Sequence, residues 1–141
     1  MTPSETIHLP LLGPEGTEKP CSLELYEDED GEVFRLRLQS APGLPRELEG
    51  AGESLFDALT ALRRELEPQG FRLRCAGCAV DVYPSGMSRS MGDGRKAYRL
   101  TPGKPGLTKD LVDIFDVSEK DSPATVAEQE AFFQQWVESL R

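Results

Sequence analysis

A chain of 141 residues has material for one domain with a hydrophobic core, and for little more. Hydrophobic content of 38%, a formal net charge of −9 and three cysteines exclude a disordered chain and a disulfide scaffold. No apolar run approaches the ~20 residues of a membrane span, and residues 1–16 lack the basic and apolar stretches of a secretory signal. A cytoplasmic protein with no membrane contact is therefore expected.

The negative total conceals an asymmetry. Between residues 69 and 109, eight basic residues against two acids give +6, which leaves −15 on the remainder. A basic patch on an acidic body attracts anions locally if it is displayed. If acidic elements pack beside it, the two neutralise each other.

Residues 1–20 carry four prolines and two glycines, so this stretch is expected to be partly irregular. A short extended piece at 6–12 suits a sheet edge, because Pro10 interrupts a central strand. Residues 21–39 read as a β-hairpin about Asp30-Gly31, a strong two-residue turn signal. That turn sets Glu24 opposite Arg37 and Tyr26 opposite Arg35, and puts Leu23, Leu25, Phe34, Leu36 and Leu38 on one face. The acidic tip lacks calcium-loop spacing and reads as a solvated turn.

Residues 40–52 read as a turn-rich connector. Ser54 then opens a helix, with Asp57 three residues on as a capping partner. Leu55, Leu59, Leu62 and Leu66 form its apolar stripe, with Phe56 to one side. Arg63 and Arg64 fall in the last turns, where cations suit the helix dipole. Pro68 and Gly70 end it.

Residues 71–83 predict a second hairpin, turning at Ala76-Gly77. Cys75 then faces Cys78, Leu73 faces Val80 and Phe71 faces Val82 on the apolar side, with Arg72 opposite Asp81 on the polar side. Residues 84–94 form a loop without periodicity, and 97–101 a strand. Residues 101–106 are a turn-rich link. The run 110–116 fits a strand or a helical turn, and its brevity and β-branched residues favour strand. The last element, about 123–140, is a helix with two competing starts, Ser122-Pro123 and Thr125 with Glu128. Its stripe of Val126, Phe132, Phe133, Trp136, Val137 and Leu140 spans roughly 140°. Phe132 and Trp136, at the edge, are assigned to the core in preference to a contact surface.

The order ββ-α-ββ-β-β-α describes an α+β fold over a single domain, 1–141. A mainly antiparallel sheet of four to six strands, including two hairpins, is covered by two helices.

Three constellations invite chemistry. Cys75-x-x-Cys78 lacks the further ligands zinc needs, with only Cys21 and His8 to add. It also lacks the helical context of a redox dithiol. The thiols are read as small apolar residues closing a turn, with metal and redox roles as the alternatives. His8 is the only histidine, which argues against a histidine-based nucleophile relay. No carboxylate pair is singled out. No catalytic residue, metal ligand or cofactor is assigned, and an enzyme is not the first choice.

The third constellation is the loop 84–96. Its glycines free backbone N–H groups to face an anion, and serine hydroxyls and arginine forks add donors. The spacings of phosphate-binding and dinucleotide-binding loops are absent. Ser85, Ser88, Arg89, Ser90, Arg95, Lys96 and Arg99 are the candidate binding residues. The leading expectation is a non-enzymatic module that engages a protein partner through this loop and its flanking strands. A small-anion site for phosphate or carboxylate, in a binding protein or an enzyme of unknown reaction, is one alternative. An acidic protein of the immunity or antitoxin kind, using the −15 remainder, is another. Nucleic acid is disfavoured.

Overall fold

The computed structural model describes residues 2–39, 41, 43–44, 46–87 and 93–141. Its architecture is α+β: a five-stranded antiparallel sheet, a three-stranded antiparallel sheet and two helices. The larger sheet contains β1 (Glu5–Leu12), β2 (Glu18–Glu27), β3 (Phe34–Leu38), β4 (Leu48–Gly52) and β5 (Arg72–Leu73), in the order β4-β3-β2-β1-β5. The smaller contains β6 (Val82–Tyr83), β7 (Lys96–Arg99) and β8 (Leu111–Asp113), in chain order.

The hairpin of β2 and β3 has the expected register. Leu23 faces Leu38, Glu24 faces Arg37 and Tyr26 faces Arg35. Leu23, Leu25, Phe34, Leu36 and Leu38 are all buried on one side. Its connection is longer than two residues, because the Asp28 carboxylate accepts from the Glu32 N–H (2.8 Å) and holds a turn closed from Gly31 N–H to Asp28 O.

Two N-terminal expectations are corrected. β1 is not an edge strand: β2 flanks it on one side and β5 on the other. Pro10 is tolerated because it faces Pro20 as a non-hydrogen-bonded pair, so its missing N–H takes no donor from the β1–β2 ladder and points instead towards the short strand β5. On that side the Pro10 carbonyl still accepts from Arg74 N (3.0 Å). The supposed connector 40–52 contains β4, which pairs with β3 along its whole length. Its glycines mark close approach, not a turn. A Cβ on Gly50 would lie 2.3 Å from the backbone nitrogen of Leu62, so α1 (Leu55–Leu66) rests directly on the strand.

The start of α1 is as the spacing predicts, with the Ser54 hydroxyl accepting from Asp57 N (3.1 Å). Leu55, Leu59, Leu62 and Leu66 are buried, and so is Phe56. Phe56 widens the inward arc across Arg63, which is only 3% exposed.

The central hairpin is the main correction. β5 leaves its expected partner and pairs with β1, Leu11 to Leu73. The chain then winds through a 3-10 turn at Ala76–Cys78, and β6 pairs with β7 in the other sheet. Alternation of apolar residues is shared by a hairpin and by two short strands that part company, and a single sequence does not separate them. The cost of the misreading is visible at Val80: expected in the core, it is 39% exposed. Arg72 does not meet Asp81; it donates to Pro123 O (3.2 Å).

The strand expected at 110–116 is present in short form as β8, entered by a 3-10 turn at Thr108–Asp110. The final helix, α2 (Val126–Ser139), starts at the capping box of Thr125 and Glu128. Only Val126 and Gln129 of this helix are buried. Phe132 and Trp136 are half-buried and lie outside the main core, contrary to their assignment. An aromatic ladder ties α2 down instead. Tyr83 meets Phe56 edge-on (5.3 Å between centroids) and stacks on Phe133 (4.1 Å), and Phe133 is followed by Trp136 (6.0 Å).

Candidate partner-binding face

Of the seven sequence-selected residues, Ser88, Arg89 and Ser90 lie outside the described residues. The remaining four are spread along the ends of the loop and strand β7. Ser85 is half-buried just beyond β6, and Lys96 is exposed, opposite Asp113 in the sheet register.

The returning arm of the loop is fastened to the start of α1. The Leu55 N–H donates to Asp93 O (2.6 Å), and Gly94, at φ +76°, lies so close to Ser54 that a Cβ there would come within 2.6 Å of the serine Cβ. Glycine is required at that position on both counts.

Arg95 and Arg99 are held by carboxylates of the same chain. Arg95 makes a bidentate pair with Glu5 (2.7 and 2.9 Å) and donates through Nε to Asp113 (2.9 Å). Its guanidinium carbon also lies 5.2 Å from the Phe115 ring centre. The Arg95 hydrogen bond holds the Glu5 carboxyl below its ordinary pKa, against a smaller opposing effect of burial. Arg99 donates to Asp81 (2.9 Å) and to both carboxylate oxygens of Asp121 (3.1 Å each). Arg74, from the same basic stretch, pairs with Glu18 (2.7 and 2.9 Å) and reaches Ser118 O (2.8 Å). These arginines tie the small sheet and its connecting loops to the large sheet, and their charge is neutralised in place.

Two depressions flank α2. A groove of about 750 Å³ lies beside β7, with Val80 and Phe132 among its apolar surfaces and the Arg99–Asp81–Asp121 cluster in its wall. Lys120 completes the charged set, which sums to zero. A cleft of about 380 Å³ lies between α1 and α2, lined in part by Asp57, Arg64, Tyr83 and Glu130. Thr60 Oγ1 in that cleft is buried without a hydrogen-bond partner.

A buried polar centre escaped the sequence reading altogether. Arg63 donates to Gln129 Oε1 (2.6 Å), Ala124 O (2.9 Å) and Gly77 O (3.4 Å). Gln129 Nε2 is shared among the carbonyls of Gly77 (2.9 Å), Ala79 (2.8 Å) and Val82 (2.8 Å). Thus one arginine from α1 and one glutamine from α2 satisfy the carbonyls of Gly77, Ala79 and Val82 along the irregular stretch that leads into β6. The sequence carried a signal for Gln129: at 100° per residue it falls between Trp136 and Leu140, in the middle of an otherwise apolar stripe. Cys75 and Cys78 border this centre, both buried, with their Sγ atoms 3.6 Å apart.

Among the described residues, no group of three or more potential ligands could hold a metal ion. Nor is any described helix long and apolar enough to cross a membrane. No protein-family model matches the chain, and comparison with the curated proteins yields no match.

Proposed function

We propose that this chain is a protein-binding module that works through strands β6 and β7 and the adjoining groove, the part of the chain that flanks the 84–96 loop. The observation that supports this reading is the groove beside β7. Val80 lies 39% exposed against it, and Arg99, one of the sequence-selected residues, stands in its wall. A large aliphatic side chain left out of the core on a shaped, electrically balanced surface fits contact with another protein better than capture of a free anion. With Arg95 and Arg99 already paired, recognition by this face rests on shape and apolar contact, and the occupant is an extended partner segment bearing an apolar side chain.

The test is site-specific crosslinking. A photoreactive residue at Val80 is compared with one at Glu29, on the exposed hairpin tip remote in sequence from the groove. The reading requires a defined protein adduct at Val80 and none at Glu29. Binding of the purified adduct partner should then weaken at least tenfold in Val80→Glu, which is about 1.4 kcal/mol. The same adducts at both positions, or an unchanged affinity in Val80→Glu, would overturn it.

A further inference from the structure

Arg63 presents an electrostatic problem that its hydrogen bonds do not solve. It is 3% exposed, and its partners are the neutral oxygens of Gly77, Ala124 and Gln129. Neutral acceptors satisfy the donors of a buried cation but supply no counter-charge, and an unbalanced charge in the interior is costly. The nearby Glu67 carboxylate accepts from the backbone N–H of Val126 (2.8 Å) but keeps its negative charge, and so offsets part of the Arg63 charge without contacting it.

The other ionisable groups at this centre are the two thiols. Cys75 and Cys78 bracket Gly77, whose carbonyl accepts from both Arg63 and Gln129, and their sulfurs are in van der Waals contact at 3.6 Å. The Cys75 thiol, and then the Arg63 charge, hold Cys78 below the ordinary thiol range against burial, while its hydrogen bond to Cys78 and its burial push Cys75 well up. Cys21, buried without such neighbours, is pushed up to about 11.

We propose that Cys75 and Cys78, their sulfurs 3.6 Å apart, are a redox-active dithiol that a small peroxide oxidises to an intrachain disulfide, with Cys78 as the attacking sulfur. The Cys78 thiolate attacks one peroxide oxygen, the O–O bond breaks, and the departing hydroxide takes a proton from solvent to become water. Cys78 is then a sulfenic acid. The Cys75 sulfur displaces its hydroxyl, which leaves with the Cys75 proton as a second water. Two electrons pass from the sulfurs to the peroxide. The sulfurs need to close from 3.6 Å to about 2.05 Å. Burial of both thiols restricts the oxidant to a molecule of peroxide size.

The experiment treats the folded full-length chain with hydrogen peroxide, alkylates the remaining thiols in denaturant and reads each cysteine by peptide mass. The expected result is a Cys75–Cys78 disulfide with Cys21 still alkylated, forming at least tenfold faster than any change at Cys21. In Cys75→Ser, a sulfenic acid should accumulate at Cys78, trapped by a dimedone-type reagent; in Cys78→Ser, Cys75 should remain a thiol. A native pair that stays reduced, or that oxidises only as fast as Cys21, overturns the proposal, and the wild-type measurement decides even if a variant fails to fold.

Discussion

The two halves of this molecule are built on different principles. The first, β1 to β4 with α1, uses strands of five to ten residues whose leucines alternate inward and lie against a leucine-lined helix. The second, residues 71–125 with α2, uses strands of two to four residues. Strands that short bury little and leave much backbone unpaired, so side chains take over: Arg63 and Gln129 inside, Arg74, Arg95 and Arg99 outside. A positive segment on an acidic chain is here a means of assembly, with acids from elsewhere in the sequence closing over it.

That contrast can be broken from either side. The largest effect is expected in the first half. Leu36 is fully buried between β2 and β4, and Leu36→Ala should lower the unfolding free energy by about 2–5 kcal/mol in a urea titration. In the second half the comparable substitution is of a polar residue. Arg63→Met keeps the stem but leaves Gln129 Oε1 and Ala124 O without their donors, at about 1–3 kcal/mol for each buried orphan. Removing a buried cation offsets part of this, so a net loss of about 2 kcal/mol is expected from the same titration. A neutral or stabilising Arg63→Met would mean that the polar centre is incidental to the fold.

How far the sequence disclosed each half follows from the same physics. The β2–β3 register and the start of α1 were legible because side-chain alternation and capping are local, and a one-residue slip of β3 would turn Phe34, Leu36 and Leu38 out of the core. β4 was hidden because its two glycines, which admit the α1 backbone, look like turn signals until the helix is in place. The hairpin at 71–83 was read in error because Phe71, Leu73, Val80 and Val82 alternate as a hairpin would, while Leu73 and Val82 lie in short strands of different sheets. Arg95 and Arg99 were selected as candidate binding residues, yet their partners Glu5, Asp113, Asp81 and Asp121 lie up to 90 positions away. Spacing alone holds no record of such pairings. Arg63 carried a weak sign, its place between Leu66 and Phe56 on the helix wheel, and the dipole explanation concealed it.

The smallest effect bears most directly on the claim that the basic stretch is held by acids of its own chain. Glu5 has its pKa lowered by Arg95, so their pair contributes stability above the ordinary glutamate value of 4.5 and loses it as pH falls through the lowered folded value. Both side chains are partly exposed, at 27% for Arg95 and 40% for Glu5, and solvent screening limits their coupling to about 0.5–1 kcal/mol. The decisive measurement is a double-mutant cycle with Arg95→Gln and Glu5→Gln, followed by urea unfolding at neutral pH and again at about pH 3, well below the ordinary range of glutamate. A coupling energy of that size at neutral pH, diminished in acid, is the predicted result. Zero coupling at neutral pH would show that Arg95 is not held by Glu5, and would leave Asp113, among the described residues, as the one carboxylate to hold it.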